Sequence, residues 1–471
     1  MARRKGSGSV RPVVETVVVI AMIVAVAIVV VVVAPRLVGS NQATLDGTLS
    51  VGAVVAYPPA TFWTVGTHAV KIENSSLSAQ VNQTPIVTFR YGGGGDSSNQ
   101  TTGVSYSNAG LPSPPGTGDP QFVQFCEWRH CHASMSVPGE IDDPGAAAVT
   151  VAYVEQTLGF HPDFWSIGNE PQIWVHYNIP WLSWKTTDDS QVTPQEYAVL
   201  VQRYVAAMKS VDPGIRVIGI QSAVSGTAGS VWMQPLVSRN GPNLSAVAYH
   251  SYPASFGATG TSVSDFLTAG TTHGFPSDYR ATEATVTTAC PKCHLPVFVD
   301  EYNGALQGPF APFVESYPDV PLVAAAVANG LQLNTSQFSF FDLQATSDLN
   351  VFGMLNASGT ARPSFYLYST FFENLSMRVI DSTSILGGPA GAAAVVGSNG
   401  TTVSLLVANA NGSTGLRLNL TGSGFPMSGG ASVWSWAPGE GLPQFSSVAP
   451  GAFASTWLIP PEGILLIDVP L

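Results

Sequence analysis

The sequence predicts an α/β fold: a closed (β/α)8 barrel of parallel strands, then an antiparallel β-sandwich domain, with an apolar segment at the N-terminus. Short apolar runs suited to buried parallel strands alternate with helical patterns over residues 49–376. From residue 377 to 471 the runs become short and alternating, as at Ala392–Val396, and are separated by Gly, Asn and Ser turns. A chain of 471 residues has room for both domains.

The N-terminal segment predicts a membrane anchor. Arg3, Arg4 and Lys5 precede an uncharged run of 18 residues, Val17–Ala34, which is long enough to span a bilayer. The basic residues before the run are expected to keep the N-terminus in the cytoplasm. Residues 1–36 are therefore predicted to form a cytoplasmic tip and a transmembrane helix, and residues 37–48 a linker. The alternative is a cleaved leader, since the stretch around Gly6 resembles the prepilin-type leader of archaeal surface proteins. Both alternatives place the rest of the chain outside the cytoplasm.

The composition excludes several classes of protein. Charged residues make up 10% of the chain and the formal net charge is −12, which disfavours nucleic acid as a partner. The run Gly92–Gly95 lacks the following Lys-Ser/Thr of a nucleotide-binding loop, and no cofactor is expected. Acceptor sites for N-glycosylation agree with an outward-facing, cell-surface glycoprotein; they lie at Asn74, Asn82, Asn99, Asn243, Asn334, Asn356, Asn374, Asn399, Asn411 and Asn419.

The four cysteines occur as two close pairs, Cys126 with Cys131 and Cys290 with Cys293. Outside the cytoplasm such pairs are expected to form local disulfides. The alternative is a zinc site, because His130, His132 and His294 lie beside them.

Each predicted element of the barrel has its own local signal. Thr193-Pro194-Gln195-Glu196 is a helix start, with Thr as the cap and Pro at the first helical position. Residues 48–54 are candidates for an additional strand of the sandwich domain. The barrel strands are predicted within residues 49–65 and at 85–91, 131–137, 164–167, 214–220, 246–250, 295–301 and 338–342, and the helices near 143–154, 193–208, 323–333 and 362–368.

The strongest functional signal is Gly168-Asn169-Glu170-Pro171, which follows the apolar run Phe164–Ile167. Gly168 frees the backbone and Pro171 removes a donor, so the strand stops there. Glu170 is thereby placed at the carboxyl end of a barrel strand, where barrel enzymes keep their catalytic residues. The alternative for the isolated motif is an exposed glutamate in a turn.

A second carboxylate is placed in the same way. Leu295–Val299 is an apolar run that continues into Asp300 and Glu301. Glu301 follows Glu170 by about 130 positions, or about three βα units of a barrel of roughly 250 residues. Two acids at strand ends three units apart are the arrangement of the clan A retaining glycoside hydrolases, and the chain resembles that clan over roughly residues 48–471.

The segment Arg90-Tyr91-Gly92-Gly93 resembles the Arg-x-Gly-Gly strand end of the heparanase and β-glucuronidase branch. Within the clan, the chain is therefore most similar to that branch. The resemblance implies a TIM barrel with a packed β-sandwich and two catalytic glutamates, with Glu170 as acid/base and Glu301 as nucleophile. It also implies that Asn169 binds the 2-hydroxyl of the sugar.

The resemblance further implies that Tyr252 holds the nucleophile ionised, with His250 as a sugar or carboxylate contact. Arg90 is a candidate partner of Glu301. The alternatives are a structural role for His250 in the core and a structural salt bridge for Arg90.

Other residues are candidate substrate contacts. Aromatic rings suit the apolar faces of sugars, and Trp174, Tyr177 and Trp181 follow the fourth strand, although loop packing would also explain them. Asp342 and Gln344 end the eighth strand and are expected to contact hydroxyl groups of the substrate.

The sequence thus predicts a membrane-anchored retaining glycosidase that acts on extracellular or cell-surface polysaccharide or glycoconjugate, most similar to a β-glucuronidase. Specificity of the xylosidase, arabinofuranosidase or glucosylceramidase type is the alternative among enzymes. A carbohydrate-binding envelope protein on the same fold, without turnover, is the alternative from another class.

Overall fold

The computed structural model describes residues 43–67, 75–92, 97–99, 104–106, 112–113, 119–139, 142–173, 192–222, 226–252, 274–304, 316–345, 352–375, 377–427 and 429–471. The predicted anchor at Val17–Ala34 lies outside these ranges. Within them, none of the helices is both long enough and apolar enough to cross a membrane. Residues Thr44–Leu471 form one compact unit.

The strands of the described residues are, in chain order, β1 (Thr44–Ala56), β2 (Trp63–Thr67), β3 (Thr88–Tyr91), β4 (Ser97–Asn99), β5 (Val104–Tyr106), β6 (Pro112–Ser113), β7 (His132–Val137), β8 (Phe164–Ile167), β9 (Val217–Ser222), β10 (Ala246–Ser251), β11 (Val297–Tyr302), β12 (Phe338–Phe340), β13 (Val379–Gly387), β14 (Ala392–Ser398), β15 (Thr402–Asn409), β16 (Gly415–Asn419), β17 (Ala431–Trp436), β18 (Gln444–Val448), β19 (Thr456–Ile459) and β20 (Gly463–Pro470). The helices are α1 (Ser75–Val81), α2 (Asp119–Arg129), α3 (Pro144–Ala152), α4 (Pro194–Val211), α5 (Gly226–Asn240), α6 (Gly274–Ala289), α7 (Asp319–Gln332) and α8 (Pro363–Tyr366).

Eight strands close into a parallel barrel in the order β10-β11-β12-β2-β3-β7-β8-β9. The predicted (β/α)8 barrel is therefore confirmed. Its strands are short and almost wholly buried, as expected for parallel strands covered on both faces. Parallel pairing brings the carboxyl ends of all eight strands to one mouth.

Helix α4 shows how local signals build the barrel wall. The Thr193 hydroxyl caps the helix and the Glu196 carboxylate returns to the backbone N–H of Thr193, which forms a capping box. The apolar residues of α4 repeat at helical spacing and all lie buried against the sheet; they are Tyr197, Leu200, Val201, Tyr204, Val205 and Met208.

The remaining long strands form one nine-stranded sheet in the order β18-β17-β20-β15-β14-β13-β1-β16-β19. Strand β1 pairs antiparallel with β13 but parallel with β16. The sheet is therefore mixed: the pairing of β1 with β16 departs from the predicted antiparallel arrangement, whereas each of the other pairings in this sheet is antiparallel, as predicted. Strand β1 comes from the start of the described chain and lies between β13 and β16, which come much later. No short turn connects β1 to either strand, so the local sequence does not determine whether each pairing is parallel or antiparallel.

Helix α7 lies between the barrel and this sheet. Nearly all of its residues are buried, because one face packs on the barrel and another on β14 and β15. Gln332, at its end, donates to the carbonyl of Ala394 and accepts from the amide of Thr383. The sheet is thus attached to the barrel through a shared apolar helix and through hydrogen bonds.

Candidate active site

Glu170 lies just beyond β8, where the chain turns sharply. Gly168 has φ of +67°, and its amide donates to the carbonyl of Val137 on the neighbouring strand. Glu170 itself has φ of +50°, a region that non-glycine residues seldom occupy and that is often found at functional sites. Its side chain is buried, and Oε1 lies 2.7 Å from Nδ1 of His250, two strands away.

Glu301 lies near the end of β11, and both of its carboxylate oxygens are held. Oε1 accepts a 2.6 Å hydrogen bond from Nη1 of Arg90, and Oε2 accepts one of 2.6 Å from the hydroxyl of Tyr252. Burial alone would raise the pKa of Glu301, but the charges of His250 and Arg90 and the Tyr252 hydrogen bond lower it below its ordinary value. Glu301 is therefore held as a carboxylate.

Arg90, on β3, connects several acidic and polar groups. It is 1% exposed, and besides Glu301 its guanidinium donates from Nη2 to Oδ1 of Asn169 over 2.6 Å. Its Nε lies 3.4 Å from Oδ2 of Asp300. Burial would lower the pKa of Arg90, but the charges of Glu301 and Asp300 raise it, so the side chain stays cationic. The planar guanidinium group has several N–H donors in fixed directions, which allows it to contact these acceptors at the same time.

His250, on β10, lies between the two glutamates. Its Nδ1 is 2.7 Å from Glu170 and 3.2 Å from Oε2 of Glu301, while Nε2 is 3.5 Å from Oδ1 of Asp300. Burial would lower the pKa of His250, but the charges of Glu301 and Asp300 and the hydrogen bond to Glu170 raise it overall. The surrounding carboxyl groups therefore favour the protonated form of His250.

The two glutamates approach each other closely. One carboxylate oxygen of Glu170 and one of Glu301 lie within 4.8 Å of each other and of a ring nitrogen of His250. Carboxyl groups about 5–5.5 Å apart are typical of retaining glycosidases, whereas inverting enzymes keep them about 6.5–9.5 Å apart. The geometry is therefore suited to direct attack by one carboxylate while the other handles a proton.

The same three side chains could be arranged around a metal ion, but their other contacts do not fit one. Each oxygen of Glu301 already accepts a hydrogen bond, one of them from the cationic Arg90. A divalent ion in this position would face two positive side chains, Arg90 and His250. The donor set is thus better suited to ion pairing within the protein than to a cation.

The remaining predicted site residues have different outcomes. Trp174, Tyr177 and Trp181 lie outside the described residues. Asp342 follows β12 and is fully buried. The amide of Gln344 donates to the carbonyls of Asn356 and Ala357, so its described contacts are with that loop and not with the glutamates.

One residue of the site was missed by the sequence analysis, namely Asp300. Side chains alternate along a strand, so Asp300 is expected to point away from the face that carries Glu301. The strand register shows why it does not: Tyr249 pairs with Val299 but His250 pairs with Glu301, which leaves Asp300 as the extra residue of a β-bulge. The only signal in the sequence was a second acid at the end of an apolar run.

Both predicted cysteine pairs are disulfides in the structure. The Cα atoms are 4.8 Å apart for Cys126 and Cys131 and 5.4 Å apart for Cys290 and Cys293. Because all four sulfur atoms are used in this way, the alternative of a zinc site built on these cysteines was wrong.

Comparisons with known proteins show the fold. No family model matches the chain, and no curated protein matches its sequence. Among solved structures, a family 51 α-L-arabinofuranosidase from Bifidobacterium longum is similar with a TM-score of 0.67 and 16% identity, over 91% of this chain and 100% of the other.

Two further solved structures agree. A family 44 xyloglucanase from Paenibacillus polymyxa gives a TM-score of 0.63 and 11% identity, over 90% of this chain and 100% of the other. A family 39 enzyme from Xanthomonas axonopodis pv. citri gives a TM-score of 0.59 and 16% identity, over 93% of this chain and 99% of the other. The predicted resemblance to clan A glycoside hydrolases is thereby confirmed at the level of the fold.

Proposed function

We propose that this protein is a retaining glycoside hydrolase that acts by double displacement, with Glu301 as nucleophile and Glu170 as acid/base. The observation that carries the proposal is the approach of the two carboxyl groups to within 4.8 Å at the mouth of a closed barrel. The different surroundings of the two acids support the division of roles. Glu301 is fixed as a carboxylate by Arg90 and Tyr252, as a nucleophile requires.

In the first step an oxygen of Glu301 attacks the anomeric carbon, and the bond from that carbon to the glycosidic oxygen breaks. Glu170 transfers its proton to the departing oxygen, which leaves as an alcohol. The products are a glycosyl ester on Glu301 and an ionised Glu170.

In the second step a water molecule attacks the anomeric carbon, and Glu170 takes the proton of that water. The ester bond to Glu301 breaks, which restores its carboxylate and releases the sugar with its original configuration. His250 contacts both acids and stabilises the negative charge on each when it forms.

The substrate is the finer part of the proposal. The strand end at Arg90 supports a β-glucuronide, as the sequence predicts. However, the guanidinium of Arg90 contacts Glu301, Asn169 and Asp300, and His250 contacts three carboxyl groups. Both cations are thus engaged by groups of the protein and are not available to bind the carboxylate of a glucuronide. This supports a second candidate substrate, a neutral sugar of the α-L-arabinofuranoside or β-xyloside type.

The test is a panel of 4-nitrophenyl glycosides: β-D-glucuronide, β-D-xyloside, β-D-glucoside and α-L-arabinofuranoside. We expect turnover of at least one, and a fall of more than about 1,000-fold in Glu301→Ala and Glu170→Ala. Glu127→Ala, which removes an exposed glutamate of α2, is the matched control and should keep wild-type activity.

Azide then assigns the roles. With an activated substrate, Glu170→Ala should yield a glycosyl azide of retained configuration and Glu301→Ala one of inverted configuration. Wild-type activity in either alanine variant would refute the assignment. If the wild-type protein binds glycosides but hydrolyses none of those in the panel, the result would instead support the non-catalytic carbohydrate-binding alternative.

We further propose that the chain is held at the outer face of the membrane by Val17–Ala34. The two disulfides support an extracytoplasmic location. Deletion of residues 1–36 should move the protein from the membrane fraction to the soluble fraction without loss of glycosidase activity. Recovery of the full-length chain in the soluble fraction, with its N-terminus intact, would refute the anchor.

A further inference from the structure

Asp300 is the most deeply buried acid of the candidate active site. Its side chain has 0% exposure, and the β-bulge of β11 turns it to the same side as Glu301. A buried carboxylate without compensating charge is costly, so a buried acid either lies beside groups that stabilise its charge or is neutralised by a raised pKa.

Two cations lie beside Asp300, one at each carboxylate oxygen. Oδ2 lies 3.4 Å from Nε of Arg90, and Oδ1 lies 3.5 Å from Nε2 of His250. Both distances exceed the usual 2.7–3.2 Å of an N–H···O hydrogen bond, so the contacts are ion pairs at close range. Asp300 therefore faces Nε of Arg90 and Nε2 of His250, whereas the glutamates face Nη1 and Nδ1 of the same two side chains.

The charges of the cluster explain why this third acid matters. Arg90 and His250 together face three carboxyl groups: Glu170, Glu301 and Asp300. With both cations charged, a single proton on one carboxyl group leaves the cluster neutral, and the proposed reaction needs that proton on Glu170. Burial raises the pKa of Asp300 to about 6, although the charges of Arg90 and His250 oppose the shift, so above that pH Asp300 is ionised and is one of the anions that stabilise a buried imidazolium at His250.

We propose that Asp300 is a positioning residue that orients Arg90 and His250 toward the two glutamates and keeps His250 protonated between them. This inference rests on the proposed function for its kinetic consequence, but not for its electrostatic one. Among the described residues, the other charged groups that face His250 are Glu170 and Glu301, and the ring of Tyr252 lies edge-on to it.

The test is Asp300→Asn, which keeps the shape of the side chain and removes its charge. We expect kcat to fall about 10- to 100-fold, with KM changed by less than about threefold, for both activated and unactivated glycosides. Asp319→Asn is the matched control, because Asp319 is equally buried at the start of α7 but has no described contact with the site. It should keep wild-type kcat.

A second readout does not depend on turnover. NMR titration of histidine labelled with ¹³C at Cε1, with the signal of His250 assigned through His250→Gln, should show a His250 pKa above the ordinary 6.5 in the wild type and a lower one in Asp300→Asn. Wild-type kcat together with an unchanged His250 titration in a folded Asp300→Asn would overturn the inference.

If Asp300→Asn does not fold, the wild-type titration decides, and a His250 pKa below 6.5 overturns the inference. A raised His250 pKa that falls in Asp300→Asn, in a protein that hydrolyses no glycoside, would support the electrostatic role of Asp300 and refute only the proposed function.

Discussion

The hydroxyl of Tyr252 donates a 2.6 Å hydrogen bond to Oε2 of Glu301, and both side chains are buried. Tyr252 follows β10 directly, so the end of one barrel strand fixes the carboxylate of the next. A hydrogen bond to a charged acceptor in a buried place contributes about 1.5–3 kcal/mol. The ionised form of Glu301 gains that stabilisation and the protonated form does not.

Tyr252→Phe is therefore expected to lower kcat/KM about 10- to 100-fold. Because the lost donor stabilised the carboxylate, the pKa of Glu301 should rise, and the acidic limb of the pH–activity profile should move to higher pH. Measurement of kcat/KM from pH 4 to 9 tests both effects. Tyr279→Phe, a buried tyrosine of α6, serves as the control; a profile that does not move in Tyr252→Phe would contradict the assigned role.

The guanidinium of Arg90 makes contacts that a lysine cannot reproduce. Nη1, Nη2 and Nε face Glu301, Asn169 and Asp300 respectively, while an ammonium group presents one compact charge. Arg90→Lys should thus lower kcat/KM by about 100-fold although the charge is kept. Arg129→Lys, at the half-buried end of α2, should leave activity within about twofold. Equal activity of both variants would show that the charge of Arg90 alone is sufficient.

Much of the barrel is predictable because its signals are local. The run Phe164–Ile167 is apolar and ends at a glycine, and the structure forms β8 over the same residues. Parallel strands align their carboxyl ends, so acids that end two such runs must meet at one mouth. The placement of Glu170 and Glu301 follows from this rule without knowledge of any side-chain contact.

The parts that sequence reasoning missed depend on how strands pair. Asp300 reaches the site only because β10 and β11 shift register at His250, and a register shift leaves no mark on a single strand. The parallel pairing of β1 with β16 joins residues from opposite ends of the described chain, and it has no local signal either. The contact of Arg90 with Asn169 likewise needs the spatial neighbourhood of two separate strand ends.

The disulfide between Cys126 and Cys131 closes a short loop at the end of α2. For a loop of this size, the loss of chain entropy in the unfolded state corresponds to about 2 kcal/mol of stabilisation. The double variant Cys126→Ser/Cys131→Ser should lower the free energy of unfolding by about this amount, as measured by urea denaturation, and leave kcat unchanged. A variant as stable as the wild type would contradict the assumption that the bond constrains the unfolded chain.

Asp468 predicts a dependence of stability on pH that is separate from the active site. It lies on β20 opposite Ser404 of β15, and burial raises its pKa from 3.8 to about 6, although a hydrogen bond with Ser404 opposes the shift. The folded chain therefore binds this proton more tightly than the unfolded chain does. The resulting stabilisation is complete below pH 4 and is lost as the pH rises through 6.

Asp468→Asn cannot ionise, so it should match the wild type at pH 4 and exceed it at pH 8. The expected gain at pH 8 is on the order of 2 kcal/mol in the free energy of unfolding, because two pKa units correspond to about 2.7 kcal/mol and solvent screens part of it. Urea denaturation at both pH values measures the difference. Asp46→Asn, which removes an exposed acid paired with Arg417, should show no such dependence, since surface ion pairs contribute little. A gain in Asp468→Asn that is equal at pH 4 and pH 8 would mean that packing or hydrogen bonding, and not ionisation, limits stability at this position.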